Sequence, residues 1–334
     1  MSGLGCILLP MKIAVLGAGY AGLATAWHLL QDSKVQVSLF DPAGIGGQAS
    51  GLAAGLLHPF VGAHAKLNFQ GREGMEATRS LLEVSSEALN GFVSEATGIL
   101  RVAVTEQQRE DFGRCAEQYS DVEWWDNCSE KVSGVAKEPG IFIRSGITVD
   151  SEEYLKGLWQ ACQVRGAIFE RRGIESLDEV DSYDVVVLAM GIETMRFADV
   201  SLRPIKGQLL QFAWPQDIEP LPFSINSKAY LAMSSDRKSV VAGATFERHF
   251  HTVDPDVELT RAYILPKARI IYPAIDQMEL LSCRSAVRVS TPNRLPIAKQ
   301  VSERVWVFTG LGSKGLLYHA LYAKRLCNEI LTQA

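Results

Sequence analysis

The 334-residue chain is predicted to fold as an α/β protein of two domains, each assembled from separated stretches of sequence. Three observations lead there. A strand–turn–helix–strand unit fills Met11–Asp41, and a strand–glycine loop–helix unit closes the chain from Arg304 onward. Between them, short apolar runs alternate with helical ones. The length is more than one compact core needs, and 47% apolar with 21% charged residues is the composition of an ordinary globular protein.

The opening unit carries the most specific signal. Lys12–Leu16 reads as a short buried strand, and Gly17-Ala18-Gly19-Tyr20-Ala21-Gly22 turns the chain into a helix. Leu23, Ala26, Trp27 and Leu30 have the spacing of one buried helical face. A second strand, Val35–Phe40, ends on Asp41, 24 residues after Gly17. GxGxxG in this setting reads as a Rossmann-like dinucleotide site. Gly17 allows the tight turn, Gly19 lets a pyrophosphate approach the backbone, and Gly22 lets helix and strand pack closely. The helix N-terminus offers free N–H groups to phosphates. Asp41 stands where a carboxylate accepts hydrogen bonds from an adenosine ribose. It would repel a 2′-phosphate, which argues against NADP.

A stretch rich in small residues follows, Gly44 to Pro59, including Ser50, Ala53, Ala54 and Gly55. Five glycines suit backbone lying against a ligand, and the interleaved Leu52, Leu56 and Leu57 distinguish it from a solvated linker. A helical pattern runs from Leu67 to Thr97 with a break near Gly91. Ile99–Val104 reads as a strand, Glu106–Tyr119 as a polar helix, Trp124-Trp125 as an interface or core pair, and Ile141–Thr148 as a strand. Asp150 is a candidate N-cap for a helix to Val164. Strands follow at Ala167–Glu170 and Asp184–Gly191. The second is the continuous apolar run of a parallel strand buried on both faces, and Gly191 at its end can lie beside the same dinucleotide. Gly207–Phe212, Ala229–Met233 and Ser239–Thr245 read as neighbouring strands of a second sheet, with a helix over Val257–Ile271. Finally Arg304–Gly310 is a strand that enters Gly310-Leu-Gly312-Ser313-Lys314-Gly315 and a helix from Leu316 to Leu331. Two nucleotide-type units at opposite ends of one chain favour FAD over NAD, because the long isoalloxazine end must be held by a second segment. The last loop, at a helix N-terminus, can aim N–H dipoles at the electron-accepting end of a flavin.

Composition narrows the classes. A net charge of −5 gives no general attraction to nucleic acid. Six cysteines, Cys6 among them, show neither CxxC nor pairing with histidines at metal spacing, which fits a reducing cytoplasm without zinc or disulfides. His249 and His251 lack a third ligand nearby, so no metal is expected. No run reaches the roughly 18 apolar residues of a membrane span. The first ten residues contain no Lys or Arg and are expected to be a ragged leader, with Met11 as an alternative start. Nothing in the sequence speaks to oligomeric state.

Gly17-x-Gly19-x-x-Gly22 with Asp41, Ala49-Ser50-Gly51-x-x-x-Gly55, Asp184–Gly191, Ile205-Lys-Gly-Gln208, Ser285-Ala-Val-Arg288 with Asn293-Arg-Leu-Pro296, and Gly310–Gly315 occur in that order. Together they resemble the FAD-dependent D-amino acid oxidase (DAO) superfamily, which includes glycine and sarcosine oxidases. Within it, Ser50–Pro59, Gly243-Ala-Thr-Phe246 and Gly310–Gly315 look most like the oxidase half of the bifunctional tRNA 5-methylaminomethyl-2-thiouridine enzymes. That half removes a carboxymethyl group from a modified wobble uridine. The resemblance implies a Rossmann-like GR2-type FAD-binding domain over residues 11–66, 145–205 and 280–334. It implies a discontinuous α+β substrate domain built on a mixed sheet over 67–144 and 206–279.

The implied reaction is oxidation of the C–N bond of a carboxylate-bearing amine, an amino acid or N-substituted glycine. Hydride transfer goes to flavin N5, and the imine then hydrolyses. Alternatives are demodification of a carboxymethylaminomethyl uridine in tRNA and a flavin-binding protein without turnover. Arg288 stands where the family's carboxylate-binding arginine does, although the proline that follows in relatives is Val289 here. A buried arginine suits that task because its fork makes two charge-assisted bonds; an arginine exposed between polar residues would do nothing. Lys314 matches a position that is often basic near the flavin. Tyr230 is a strand tyrosine that faces either substrate or core, and His58, beside the glycine-rich stretch, either lines the active site or, as a lone histidine before a proline, is structural. No Cys or His matches a covalent-flavin position, so the FAD is expected to be non-covalent.

Overall fold

The computed structural model describes residues 10–333. The expected leader up to Leu9, with Cys6, lies outside the described residues. The opening unit forms as β1 (Met11–Leu16), α1 (Tyr20–Leu29) and β2 (Val35–Phe40). After the glycine-rich stretch come β3 (Leu56–Leu57) and α2 (Gly71–Leu89). The helical pattern expected over 67–97 is therefore too long. Asn90 caps α2 in the left-handed conformation, φ 50°, and the chain continues as β4 (Ser94–Glu95), β5 (Ile99–Val102) and α3 (Glu106–Gln118). β6 (Val122–Trp125) carries the tryptophan pair, and Trp125 stacks on Phe142 with ring centroids 4.8 Å apart.

The single strand expected over 141–148 is two, β7 (Gly140–Ile143) and β8 (Ile147–Val149), divided by a turn that the Gly146 amide closes onto Ile143. They join different sheets. Asp150 does cap α4 (Ser151–Val164), accepting the Glu153 amide at 3.1 Å. Next come β9 (Ile168–Glu170), β10 (Val185–Leu188), β11 (Arg203–Ala213), β12 (Ser224–Asn226), β13 (Tyr230–Met233) and β14 (Ser239–Gly243). α5 (Val257–Ile271), β15 (Leu280–Ser290), β16 (Ile297–Gln300), β17 (Val305–Thr309) and α6 (Gly315–Gln333) complete the chain.

One sheet has the order β16-β17-β10-β1-β2-β9 and is parallel except for β16. Its central strands β10 and β17 are almost wholly apolar because both faces are covered, whereas the edge strands β9 and β16 carry polar residues. Ile13 and Val15 face the core shared with α1, α2, α4 and α6, while Ala14 and Leu16 face Val180, Val200 and Leu202. The same double covering explains α1. The expected single buried face is exceeded, since Tyr20 to Ala26 are all buried between the sheet and the neighbouring helices. The second sheet, β15-β11-β14-β13-β12-β5-β7-β6, is mixed: β12 and β5 run parallel, the other pairs antiparallel. Helix α5 packs on it through Ile264, Ala268 and Ile271. A small antiparallel sheet, β3-β8-β4, stands apart from both.

Strand β15 was missing from the sequence expectation. It pairs with β11 along its length, Arg288 opposite Ile205 and Ser290 opposite Arg203. Its neighbour β11 opens the large sheet immediately after the β10 segment, so this pair joins the two sheets.

Candidate active site

The two glycine loops meet at one cavity of about 800 Å³. From the β1–α1 turn it is lined by Gly19, Tyr20 and Ala21, and from the small-residue stretch by Ser50, Ala53, Ala54 and Gly55. Gly191 lines it from the end of β10, and Gly310, Gly312, Ser313, Lys314 and Gly315 from the entry to α6. Gly17, Ala18, Gly22 and Asp41 are not in its wall. They build the turn behind it. Gly17 has φ +109°, and a Cβ there would run into the Ala189 carbonyl at the end of β10. A Cβ on Gly22 would overlap the Gly17 carbonyl, so α1 sits directly on the loop. Asp41 accepts the amides of Ala18 and Ala43, each at 2.8 Å, which fixes the turn against the end of β2. Each carboxylate oxygen keeps a further acceptor site.

The first turn of α1 holds no acidic residue. Its Tyr20 amide donates to Ser50 Oγ at 3.1 Å, whereas the amides of Gly19, Ala21 and Gly22 have no acceptor among the described residues. Three free donors at a helix N-terminus form an anion cradle.

Arg288, Tyr230 and Lys314 all line the same cavity. The Arg288 guanidinium lies against Gly207 on β11, where an added Cβ would stand 2.9 Å from its terminal nitrogen. No carboxylate or carbonyl among the described residues bonds it, and burial pushes its pKa below the usual arginine value. Tyr230 reaches across Gly243 of the paired strand β14. Its hydroxyl, pushed up to about 12 by burial, stays protonated at neutral pH. Lys314 donates to the Arg294 carbonyl at 3.4 Å, and burial followed by the Arg294 charge lowers its affinity for a proton.

Other lining residues escaped the sequence reading or were set aside by it. His58 is 2% exposed, its Nδ1 has no partner, and burial with the Arg101 charge drives it down to about 3, so it is neutral. Arg101, also 2% exposed, donates to the carbonyls of Phe60 and Gly62 at 2.7 and 2.6 Å and lies over the Phe112 ring. Its signal was a lone arginine inside the apolar run Ile99-Leu-Arg-Val102. Asn226, Ser227, Lys228 and Phe246 complete the outer wall. His249 and His251 are exposed, and no group of His, Cys, Asp and Glu that could hold a metal exists among the described residues. No helix among the described residues is long and apolar enough to cross a membrane.

A nucleotide turn, a second glycine loop and an unpaired arginine around one cavity define a dinucleotide-dependent oxidoreductase. Residues 12–329 match the family described as DAO: FAD dependent oxidoreductase, and the chain belongs to it. The tRNA 5-methylaminomethyl-2-thiouridine biosynthesis bifunctional protein MnmC of Maricaulis maris is 27% identical over 325 residues, 96% of this chain and 52% of that protein. Its counterpart in Marinobacter nauticus is 28% identical over 362 residues, with 96% and 56% covered. The chain thus spans about half the length of these curated relatives. Among solved structures, glycine oxidase from Geobacillus kaustophilus superposes with a TM-score of 0.81 at 20% identity, covering 97% of this chain and 95% of that one. Iminodiacetate oxidase from Chelativorans sp. BNC1 gives 0.81 at 16%, covering 96% and 95%. The fold is the one they share.

The residues present fit FAD. The free amides at the start of α1 suit its pyrophosphate, and Asp41 suits the adenosine ribose. The small residues Ala53 to Gly55 and the Gly310–Gly315 loop both line the cavity and leave room for a flat ring system.

Proposed function

We propose that this protein oxidises the C–N bond of an amine that carries a carboxylate, an amino acid or N-substituted glycine. The observation that carries this reading is Arg288, a largely desolvated guanidinium that faces the cavity with no acceptor from the protein. A buried charge without a partner is costly; a substrate carboxylate would satisfy both arms of its fork. FAD, when bound, supplies the two-electron acceptor for the C–H bond next to the amine nitrogen. Arg288 holds the carboxylate and thereby orients that bond. The protonated Tyr230 hydroxyl serves as a donor beside it, and Lys314 sets a positive charge near the electron-accepting end. The substrate leaves as an imine, which water converts to a keto or aldehyde acid and an amine. We further propose that Gly17, Ala18, Gly19, Ala21, Gly22, Asp41, Ser50, Ala53, Ala54, Gly55, Gly191, Gly310, Gly312, Ser313, Lys314 and Gly315 hold the FAD. The FAD is proposed to be bound non-covalently, as the family resemblance implies. We propose the same domain division, residues 11–66, 145–205 and 280–334 holding the cofactor and 67–144 and 206–279 covering the substrate, although α2 packs in the core of α1, α4 and α6 and β15 pairs with β11 in the large sheet.

A second reading rests on the curated relatives, which cover 96% of this chain and are named for tRNA modification. A carboxymethylaminomethyl uridine is itself an N-substituted glycine, so it fits the same arginine. The test is anaerobic titration of the yellow holoprotein with glycine, sarcosine, proline, D-amino acids and a carboxymethylaminomethyl-modified tRNA. Bleaching of the flavin band by a member of this set is expected and names the substrate. A protein that takes up FAD and is bleached by none of them would overturn the amine reading.

A further inference from the structure

The charge lining the cavity is one-sided. Among the described residues, its wall contains Arg101, Lys228, Arg288 and Lys314 but no Asp or Glu, in a chain whose net charge is −5. The two carboxylates nearest to it in sequence are not in the wall, although Glu247 is bonded to two wall residues, and Asp111 pairs with the wall's His64 at 2.6 Å. Glu106, between Thr105 and Gln107, pairs with Arg109 at 3.2 Å, and Glu247 accepts from Thr245 Oγ1 and Gln208 Nε2. An acid-free, partly desolvated wall concentrates anions.

The four cations do different things. Lys314 belongs to the cofactor loop, Arg288 faces the substrate, and Arg101 spends two of its arms on the Phe60 and Gly62 carbonyls. Lys228 is the exception. It is exposed and has no hydrogen bond or ion pair among the described residues. Yet the turn that carries it is firmly held. Asn226 is in register with both Tyr230 and Arg101, the Ser227 amide donates to the Ala229 carbonyl at 2.8 Å, and Ser227 Oγ donates to the Val102 carbonyl at 2.9 Å. A rigid hairpin thus presents Tyr230 inward and, two residues earlier, a free ammonium at the rim.

We propose that Lys228, with the neighbouring Asn226 and Ser227, is a second anion subsite, and that the substrate carries a second anionic group on its nitrogen substituent. This rests on the proposed function, in which Arg288 takes the first carboxylate. A substrate with only one acid, such as glycine, would leave the rim unused. Two sources share the required chemistry: a second carboxylate in a small dicarboxylic amine, or a nucleotide phosphate beyond a modified base.

The test uses the holoprotein and ligands read by their effect on the flavin spectrum, so turnover is not needed. Methoxyacetate and diglycolate place an ether oxygen where the amine would be and carry one and two carboxylates. The carboxymethylaminomethyl uridine nucleoside and the same residue within a short oligoribonucleotide differ by their phosphates. For at least one pair, the ligand with the extra anion should bind ten-fold or more tightly, the gain shrinking with added salt. Lys228→Ala should remove most of that gain while leaving the one-acid ligand unchanged. The pair that responds identifies the source. If neither pair shows a gain that depends on Lys228, the subsite is disproved. If the one-acid ligands bind equally to wild type and Arg288→Ala, it is the amine reading that fails.

Discussion

Gly207 decides how Arg288 is held. A methyl group added there would meet the tip of a flexible side chain, not backbone, so Gly207→Ala should cost little stability, under about 1 kcal/mol. The same methyl displaces the guanidinium. Losing one charge-assisted bond to a carboxylate is worth about 1.5–3 kcal/mol, or roughly 10- to 160-fold in KM for an N-substituted glycine. Comparing melting temperature with KM separates the two effects, and an unaltered KM would remove Arg288 from the carboxylate site. At this scale the sequence was uneven. Arg288 and Lys314 were reachable because they stand in motifs, whereas Lys228 stands in none. Its surroundings come from the pairing of β12 with β5, more than a hundred residues away, and pairing of that range leaves no local pattern.

Elements show the same division. Helix α1 and strands β1, β2 and β10 were legible because they are short, mostly apolar and buried, and the Gly17–Gly22 loop marks the turn from strand to helix. Strand β15 was not, since Ser282, Arg284, Ser285 and Arg288 interrupt its apolar residues and most of the strand is half-buried. A strand whose side chains border a cavity loses the alternation that marks a half-buried sheet. The joined strand expected over 141–148 failed because Arg144-Ser145-Gly146, between two short apolar runs, is a turn that sends them to different sheets. The contact of α1 with its loop yields a paired prediction. Gly22→Ala drives a methyl into the Gly17 carbonyl and should cost more than about 3 kcal/mol, the overpacking range and above, and weaken FAD binding. Gly113→Ala, in α3 with open space around it, should be neutral or stabilise by up to about 1 kcal/mol through helix propensity. Urea denaturation of both apoproteins, with FAD binding followed by flavin fluorescence, checks the pair; equal stabilities would mean that α1 does not rest on the loop.

For the whole molecule, the distribution of buried histidines sets the response to acid. His28 on α1 and His319 on α6 lie in the contact between those helices, and His58 lies at the cavity. Burial lowers His28 and His319 to about 4 and His58 to about 3. Tyr154 Oη lies 2.6 Å from His319 Nε2, and the Gly315 and Leu316 carbonyls at the ring's Nδ1 oppose the effect of burial without reversing it. Each folded value lies below the ordinary histidine value of 6.5. As pH falls past that value, the unfolded chain takes up protons that the folded chain refuses. Stability is therefore complete above about pH 7 and is lost progressively toward pH 4. Where all three differ fully, the slope approaches about 1.4 kcal/mol per pH unit for each, or roughly 4 together. The depressed carboxylates, such as Asp121 beside Arg72 and Asp236 beside Ser234, act in the same direction but only below their unfolded value of 3.8. The two groups are separable by window. The melting temperature of the apoprotein should already fall between pH 6.5 and 4.5, before the carboxylates contribute. Because α1 and α6 both begin at the glycine loops proposed to hold FAD, its release should follow the same curve. A melting temperature level across that range would mean that the histidines accept protons in the folded state, and that the α1–α6 contact is open to water.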